Sequence, residues 1–320
     1  MFSPCARAGQ GHPAEAAMRV LPLLAVATAL LFVASCGDRS SSRGGSQAEN
    51  TPKPARGPAT PGEQRPAPVS TGNDTAGQLP HPAKPAEPAK DSGQAAASPS
   101  LENALAALKK LEARLEWDER GAVKSVELVN PFTADADMAS LAALAELESL
   151  EIGSGQVTDA GLAPLKGLAK LEKLYLHDLD IGDAGLANLQ GLANLTVLSL
   201  QKTRITGAGL ACLKGLLRLE VLSLGQNKIG DDALVHLKGL AELNTLSLQR
   251  TRVTGDGLAH LKRLTNLRVL NLNQCDVTDS DLVHLKGLTN LRMLYLYGCR
   301  VTENNVEKFR KGIPGLAAYY

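Results

Sequence analysis

The chain has 320 residues, with 34 Lys+Arg against 33 Asp+Glu and a formal charge of +1. That balance excludes nucleic-acid binding driven by phosphate attraction, which needs a basic excess. An aromatic content of 3% and five scattered cysteines exclude an aromatic-rich core and a disulfide framework, leaving a core built mainly from leucine.

Residues 1–36 read as a targeting segment. Met18-Arg19 precedes VLPLLAVATALLFVASC, a positive residue followed by an apolar run of about 15 residues, which has the pattern of a secretory signal. The run is short for a membrane-spanning helix, which needs about 20 residues. It ends in Val33-Ala34-Ser35-Cys36, which resembles the bacterial lipobox, whose cysteine is lipidated and becomes the first residue of the mature protein. Residues 1–17 fit no signal pattern, so Met18 is the expected start. The resemblance implies a lipid anchor (palmitate among its acyl chains) on Cys36. It also implies a location on a bacterial membrane, facing periplasm or exterior. Several acyl chains hold firmly where one does not, at about 0.8 kcal/mol per buried CH₂.

Residues 37–100 are rich in Pro, Ala, Gly, Ser and Lys, as in TPKPARGPATPGEQRPAPVS. They offer little to bury, so the entropy of ordering is not offset and a disordered tether is expected. At up to ~3.1 Å per residue, such a linker reaches on the order of 100 Å.

Residues 101–122 are expected to form an N-terminal cap. A helix over Leu101–Ala113 is followed by a hairpin of Leu115–Trp117 and Val123–Val129, turning at Asp118-Glu119-Arg120-Gly121. From Val123 the chain repeats. LxxLxL begins at Leu147, Leu171, Leu195, Leu219, Leu243, Leu267 and Leu291, evenly spaced and without insertion, and Val123 starts a unit in the same register. Each unit predicts a strand with alternate residues inward. A second inward apolar position follows, at Val157, Ile181, Ile205, Ile229, Val253, Val277 and Val301, with Thr133 at the head of the series. Thr or Gly and usually an acid come next, expected to cap a helix of about two turns over GLAxLKGL. One unit cannot bury its leucines, but stacked units can.

A fixed period of 20–29 residues with this pattern resembles the leucine-rich repeat, over residues 123–313 in eight units. The phrase "TDAGL" resembles bacterial repeats akin to the cysteine-containing and GALA-type subclasses. The implied fold is an α/β solenoid, or horseshoe, with a parallel sheet on its concave face and short helices on its convex face. Residues 314–320 are left as a C-terminal tail.

The repeated letters build the solenoid, so function is expected in the letters that vary. The outward positions of the strands are small and polar in the middle, with Gln201, Gln249, Asn271 and Asn273. Aromatics flank them: Tyr175 with His177, and Tyr295 with Tyr297. Tyrosine is a frequent interface anchor because it offers area at low entropic cost. Lys202, Arg204, Lys228, Arg250 and Arg252 form a basic rim at the strand exits, opposite Glu148, Glu172 and Glu220 at the strand starts. Such polarity would orient a mixed-charge peptide or an acidic sugar.

His236, His260 and His284 recur at the repeat period as part of the repeat phrase, without companion ligands, so no metal site is expected. Cys275 and Cys299 take a turn position held by Thr203, Asn227 and Thr251 elsewhere, which reads as buried free thiols, an adjacent-coil disulfide being the alternative. There is no nucleophile elbow, phosphate loop or metal signature, so neither an enzyme nor a cofactor is expected. The expected function is a lipid-anchored envelope recognition module binding a protein, or a glycan, on its concave face. The alternative is a passive spacer lipoprotein. An F-box-like substrate receptor for ubiquitin ligases fits poorly, since no F-box-like segment is seen and the lipobox points outside the cytoplasm.

Overall fold

A computed structural model of the chain describes residues 100–320. The targeting segment, its Cys36 and the tether up to residue 99 lie outside the described residues. The rest forms one unit, built on a sheet of ten strands in strict chain order.

Ser100 opens the fold by capping the helix Leu101–Lys110, its side chain accepting the Asn103 N–H. The helix ends three residues earlier than the sequence suggests. It buries Ala104 and Leu108 against the first convex segment, which covers the leucines at that end of the stack. Strand β1 (Arg114–Trp117) turns back into β2 (Val123–Leu128), the one antiparallel pair among the described residues. Asp118 Oδ1 holds that turn, accepting the N–H groups of Arg120 and Ala122 at 2.9 Å each.

Seven parallel strands follow, one per unit. They are β3 (Ser149–Gly153), β4 (Lys173–His177), β5 (Val197–Ser199), β6 (Val221–Ser223), β7 (Thr245–Ser247), β8 (Val269–Asn271) and β9 (Met293–Tyr295). Each pairs with its predecessor at an offset of one repeat, for example Leu174↔Leu198↔Leu222↔Leu246. Because register equals the repeat, the inward leucines stack on themselves and are fully buried from coil to coil. Residues expected as a tail add a tenth strand, β10 (Ala317–Tyr319), parallel to β9. Phe309 on the last helix, Glu303–Lys311, with Ile313 and Leu316, closes this end of the core.

The convex side departs from expectation. Its segments are largely 3-10, such as Ala160–Gly167, Gly209–Gly215 and Asp279–Leu285, with single α-turns such as Asp183–Leu186. Packed α-helices need about 8–10 Å between axes, whereas strands stack about 4.8 Å apart. A slimmer convex segment reduces that mismatch.

The threonines stand at the N-cap positions expected of them: Thr278 forms a capping box with Asp281, and the Thr158 and Thr206 hydroxyls accept the Ala160 and Ala208 N–H groups at 3.4 Å. Those at 254 and 302 make no side-chain cap bond to their own helices. They bind instead to the aspartate one coil back. Asp183 accepts the Thr206 N–H at 2.8 Å and its hydroxyl at 2.5 Å, and Asp135, Asp231 and Asp279 treat Thr158, Thr254 and Thr302 alike. Asp159 does the same for the Gly182 N–H at 2.7 Å.

Each of β3–β9 exits through a residue in the left-handed region: Ser154, Asp178, Lys202, Gln226, Arg250, Gln274 and finally Gly298. Six of these seven are not glycine, so the stack itself enforces the turn.

Candidate functional site

The variable letters converge on the concave face, where the register aligns them into rows running across the strands. The central row is Glu127, Glu151, Tyr175, Ser199, Ser223, Ser247, Asn271, Tyr295 and Tyr319, each in register with the next. One row toward the strand exits come Gly153, His177, Gln201, Gly225, Gln249, Asn273 and Tyr297. One row toward the strand starts lie Lys173, Val197, Val221, Thr245, Val269 and Met293, again in register. This third row is mostly apolar over β5–β9, broken by Thr245 on β7, and its valines are buried among their neighbours; the sequence reading missed it by weighing only two outward positions per unit. Its signal was available: Val recurs two residues after the first leucine of three units.

At the N-terminal end of the face, His177 lies over Gly153, so closely that a Cβ there would collide with the imidazole. Its Nε2 is 3.2 Å from Glu151 Oε1. Tyr175 is packed beside them, and burial, helped by the Glu151 charge, pushes its phenol above the usual range. Arg114 on β1 reaches Glu127 at 3.3 Å, so this end carries two carboxylates, each with a basic neighbour.

The middle is a polar ladder. Gln249 lies over Gly225 in the same way as His177 lies over Gly153. Its Oε1 accepts from Asn271 Nδ2 at 3.4 Å, while Asn271 and Asn273 accept the backbone N–H groups of Asn273 and Tyr297 at 3.0 and 2.8 Å. Ser223 Oγ and Gln249 Nε2 are buried and have no hydrogen-bond partner among the described residues. At the far end Tyr295 stacks on Tyr319 of β10, ring centroids 4.8 Å apart and planes within 13°. Burial, with Tyr319 beside it, pushes the Tyr295 phenol up. Tyr297 stands out, 66% exposed. The two aromatic groups are therefore brought onto one face but not together: five strand spacings, about 24 Å, separate Tyr175 from Tyr295.

The basic rim is less uniform than its sequence implies. Lys202 pairs with Asp178 at 2.8 Å and Arg204 with Asp180 at 2.5 Å, each across one coil. Arg250 binds Gln274. Lys228 and Arg252 are exposed and have no ion pair or side-chain hydrogen bond among the described residues. Of the acidic rim, Glu148 is bound by Lys124 at 2.8 Å and Glu220 by Asn244 at 3.2 Å.

Cys275 and Cys299 are free thiols that take over a structural job. In this column Thr203, Asn227 and Thr251 donate to Leu200 or Leu248 carbonyls. The two thiols donate to Leu248 and Leu272 carbonyls at 3.0 and 3.1 Å. Burial pushes both above the usual thiol range, which disfavours the thiolate. On the convex side His236 lines a shallow cavity of about 390 Å³ with Gly207, Gly230, Asp231 and Asp232. Among the described residues no group of three His, Cys, Asp or Glu is placed to hold a metal, and no helix is long and apolar enough to cross a membrane.

Residues 193–253 match the leucine rich repeat family, and residues 265–309 match its two-copy form. No curated protein matches the chain in sequence. Among solved structures, the chain is similar to internalin C2 of Listeria monocytogenes, with 26% identity and a TM-score of 0.49, over 61% of this chain and 80% of that one. It is similar to the plant peptide hormone receptor RGFR1, solved in complex with RGF2, with 17% identity and a TM-score of 0.45, over 64% of this chain and 36% of that one. A TDR receptor matches at 14% identity and a TM-score of 0.46, over 62% of this chain and 34% of that one. This chain therefore spans well under two thirds of either receptor. The ordered ten-strand sheet, the stacked leucines and the two family matches agree that the described residues form a leucine-rich repeat solenoid.

Proposed function

We propose that the protein is a recognition module of a bacterial envelope, held by a lipid on Cys36, that binds a protein or peptide partner on its concave face and catalyses no reaction. One observation carries the binding reading. The inward letters of every unit are spent on the spine, while the outward letters of β4–β9 change from unit to unit and are delivered to one face by the register of the repeat. Tyr175 with His177 and Tyr295 with Tyr297 bound that face; between them Gln201, Gln249 and Asn271 are buried in the ladder, and the part-exposed Asn273 presents its amide. Aromatic anchors around adaptable polar groups are the usual make-up of a recognition surface. The anchor and the location rest on the apolar run after Arg19 and on Val33-Ala34-Ser35-Cys36.

The test is a crosslinking capture from intact envelopes, comparing the natural chain with a folded variant carrying Tyr175→Ala, Arg250→Ala, Tyr295→Ala and Tyr297→Ala. A partner enriched by the first and lost by the second supports the reading. Identical capture by both overturns it in favour of a tethered spacer. Replacement of Cys36 by Ala, followed by membrane fractionation, tests the anchor separately.

A further inference from the structure

The convex face carries a column of cations that the fold does not use, with exposed apolar side chains standing among them. We propose that this face, over the coils from Lys214 to Lys286, lies against an anionic bilayer and turns the concave face away from it. This rests on the lipid anchor of the reading above, which holds the chain to that bilayer.

The cations come first. Lys214, Lys238, Lys262 and Lys286 are one repeat apart, at the C-terminal ends of the convex segments Gly209–Gly215, Asp231–Leu237, Ala259–Arg263 and Asp279–Leu285. All four are exposed, and none has an ion pair or side-chain hydrogen bond among the described residues. The repeat sets them coil on coil, so like charges stand side by side and repel. Burial, with the charge of Lys214 beside it, holds the His236 imidazole below its usual range. The aspartates of these segments sit at the opposite ends. From Asp232 to Lys238 is about 12 Å at a rise of about 2.0 Å per residue, beyond the screening length of about 8 Å in physiological salt. Between the lysines and the strands that follow, Arg218, Arg263, Arg268 and Arg292 outnumber Glu220 and Glu242. The positive charge is left for an anion outside the chain.

The apolar side chains are the second observation. Leu217, Val235 and Val283 are 58%, 39% and 51% exposed. Neighbouring coils hold alanine at these positions: Ala193 and Ala241 for Leu217, Ala211 and Ala259 for the valines. Val235 and Val283 come three residues before Lys238 and Lys286, a spacing that eclipses side chains on a 3-10 turn. Apolar groups set among lysines bury their surface at a lipid headgroup boundary, while the ammonium groups meet its phosphates. A continuous anionic sheet suits the pattern, because lysine recurs unchanged from coil to coil, whereas a protein partner is read by letters that vary. The strands and the convex segments cover opposite sides of the leucine core, so this orientation presents the exposed Tyr297 outward.

The probe is a vesicle. The full lipid-bearing chain is placed on vesicles of phosphatidylcholine alone, or of phosphatidylcholine and phosphatidylglycerol in equal parts. Its lysines are then acetylated and read by mass spectrometry. On the mixed vesicles Lys214, Lys238, Lys262 and Lys286 should be labelled about 10-fold less than on the neutral ones, while Lys228 at the strand exits is labelled equally on both. Lys238→Glu with Lys262→Glu and Lys286→Glu, its fold checked by circular dichroism, should leave Lys214 labelled alike on both. Leu217→Ser with Val283→Ser keeps the charge and should still lose much of the protection. Equal labelling of the natural chain on both vesicles, while it floats with both, overturns the docking and leaves the anchor standing. Protection by soluble polyglutamate and not by mixed vesicles makes the occupant an acidic protein and overturns the bilayer. A chain that floats with neither vesicle overturns the anchor and the docking together.

Discussion

Asp231 occupies the space that a side chain on Gly257 would need. Its Oδ1 overlaps the position of a Cβ at 257, and its two oxygens are tied to the Thr254 N–H and hydroxyl at 2.7 Å. The same contact joins Asp135 to Gly161, Asp159 to Gly185 and Asp183 to Gly209. In these units the glycine of "TDAGL" leaves room for the aspartate one coil before it, whereas beyond Asp279 that position is Asn305, which donates to the aspartate at 2.9 Å. Where the aspartate is missing, so is the glycine. Gly207 stands in the aspartate's place one coil before Ala233, and Gly255 stands there before Asp281, which turns to its own coil and accepts the Thr278 N–H at 2.8 Å.

Gly209→Ala is expected to push Asp183 off Thr206 and to cost about 1–3 kcal/mol, the penalty of leaving a partly buried bonding group unpaired. Gly207→Asp alone meets the Ala233 Cβ, already 3.1 Å from the position of a Cβ at 207. Gly207→Asp with Ala233→Gly should extend the ladder to Gly230. Urea unfolding of the two single variants and the double should show favourable coupling, and additivity would mean that the pair is not linked.

Thr133 heads a column otherwise made of Val and Ile, and it is fully buried with its hydroxyl unpartnered. Thr133→Val removes an unsatisfied polar group and keeps the shape. It should stabilise the protein by about 1 kcal/mol, read as a higher midpoint with an unchanged m-value.

Tyr319 holds β10 to β9 through its stack on Tyr295. Tyr319→Ala should cost about 0.5–1.5 kcal/mol beyond lost area and raise amide exchange over Ala317–Tyr320 before the rest of the sheet. Uniform exchange across the sheet would place β10 within the global unfolding unit.

Asp279 accepts from the Thr302 backbone, from Asn305 and from the Thr302 hydroxyl, and these bonds hold its carboxyl below the usual aspartate value of 3.8. A depressed carboxylate stabilises the fold above its unfolded pKa, and that contribution is lost as pH falls through the folded one. Thermal midpoints should therefore decline on acidification below about pH 4. Asp279→Asn should flatten part of that decline, and an identical acid limb would contradict it.

Cys275 and Cys299 donate to carbonyls and are disfavoured as thiolates. Both should react slowly with alkylating reagents at neutral pH in the folded chain and quickly in denaturant. Mass spectrometry after air oxidation should find them unbridged, and a 275–299 crosslink would favour the disulfide alternative.

The sequence by itself determined the solenoid. A constant period free of insertions lets parallel strands pair in register, and stacked leucines are the means by which units so short bury their apolar side chains. It also placed Tyr175, His177, Tyr295 and Tyr297 on one face, because side chains alternate along a strand. The tertiary structure decided what depends on neighbouring coils. Thr254 serves the aspartate of the coil before it, a bond that composition within one repeat cannot reveal. The convex segments tighten to 3-10 because strand spacing governs the stack. Lys202 and Arg204 are neutralised across a coil while Lys228 and Arg252 are left as a pair, since charge on a solenoid is balanced between units and not along the chain.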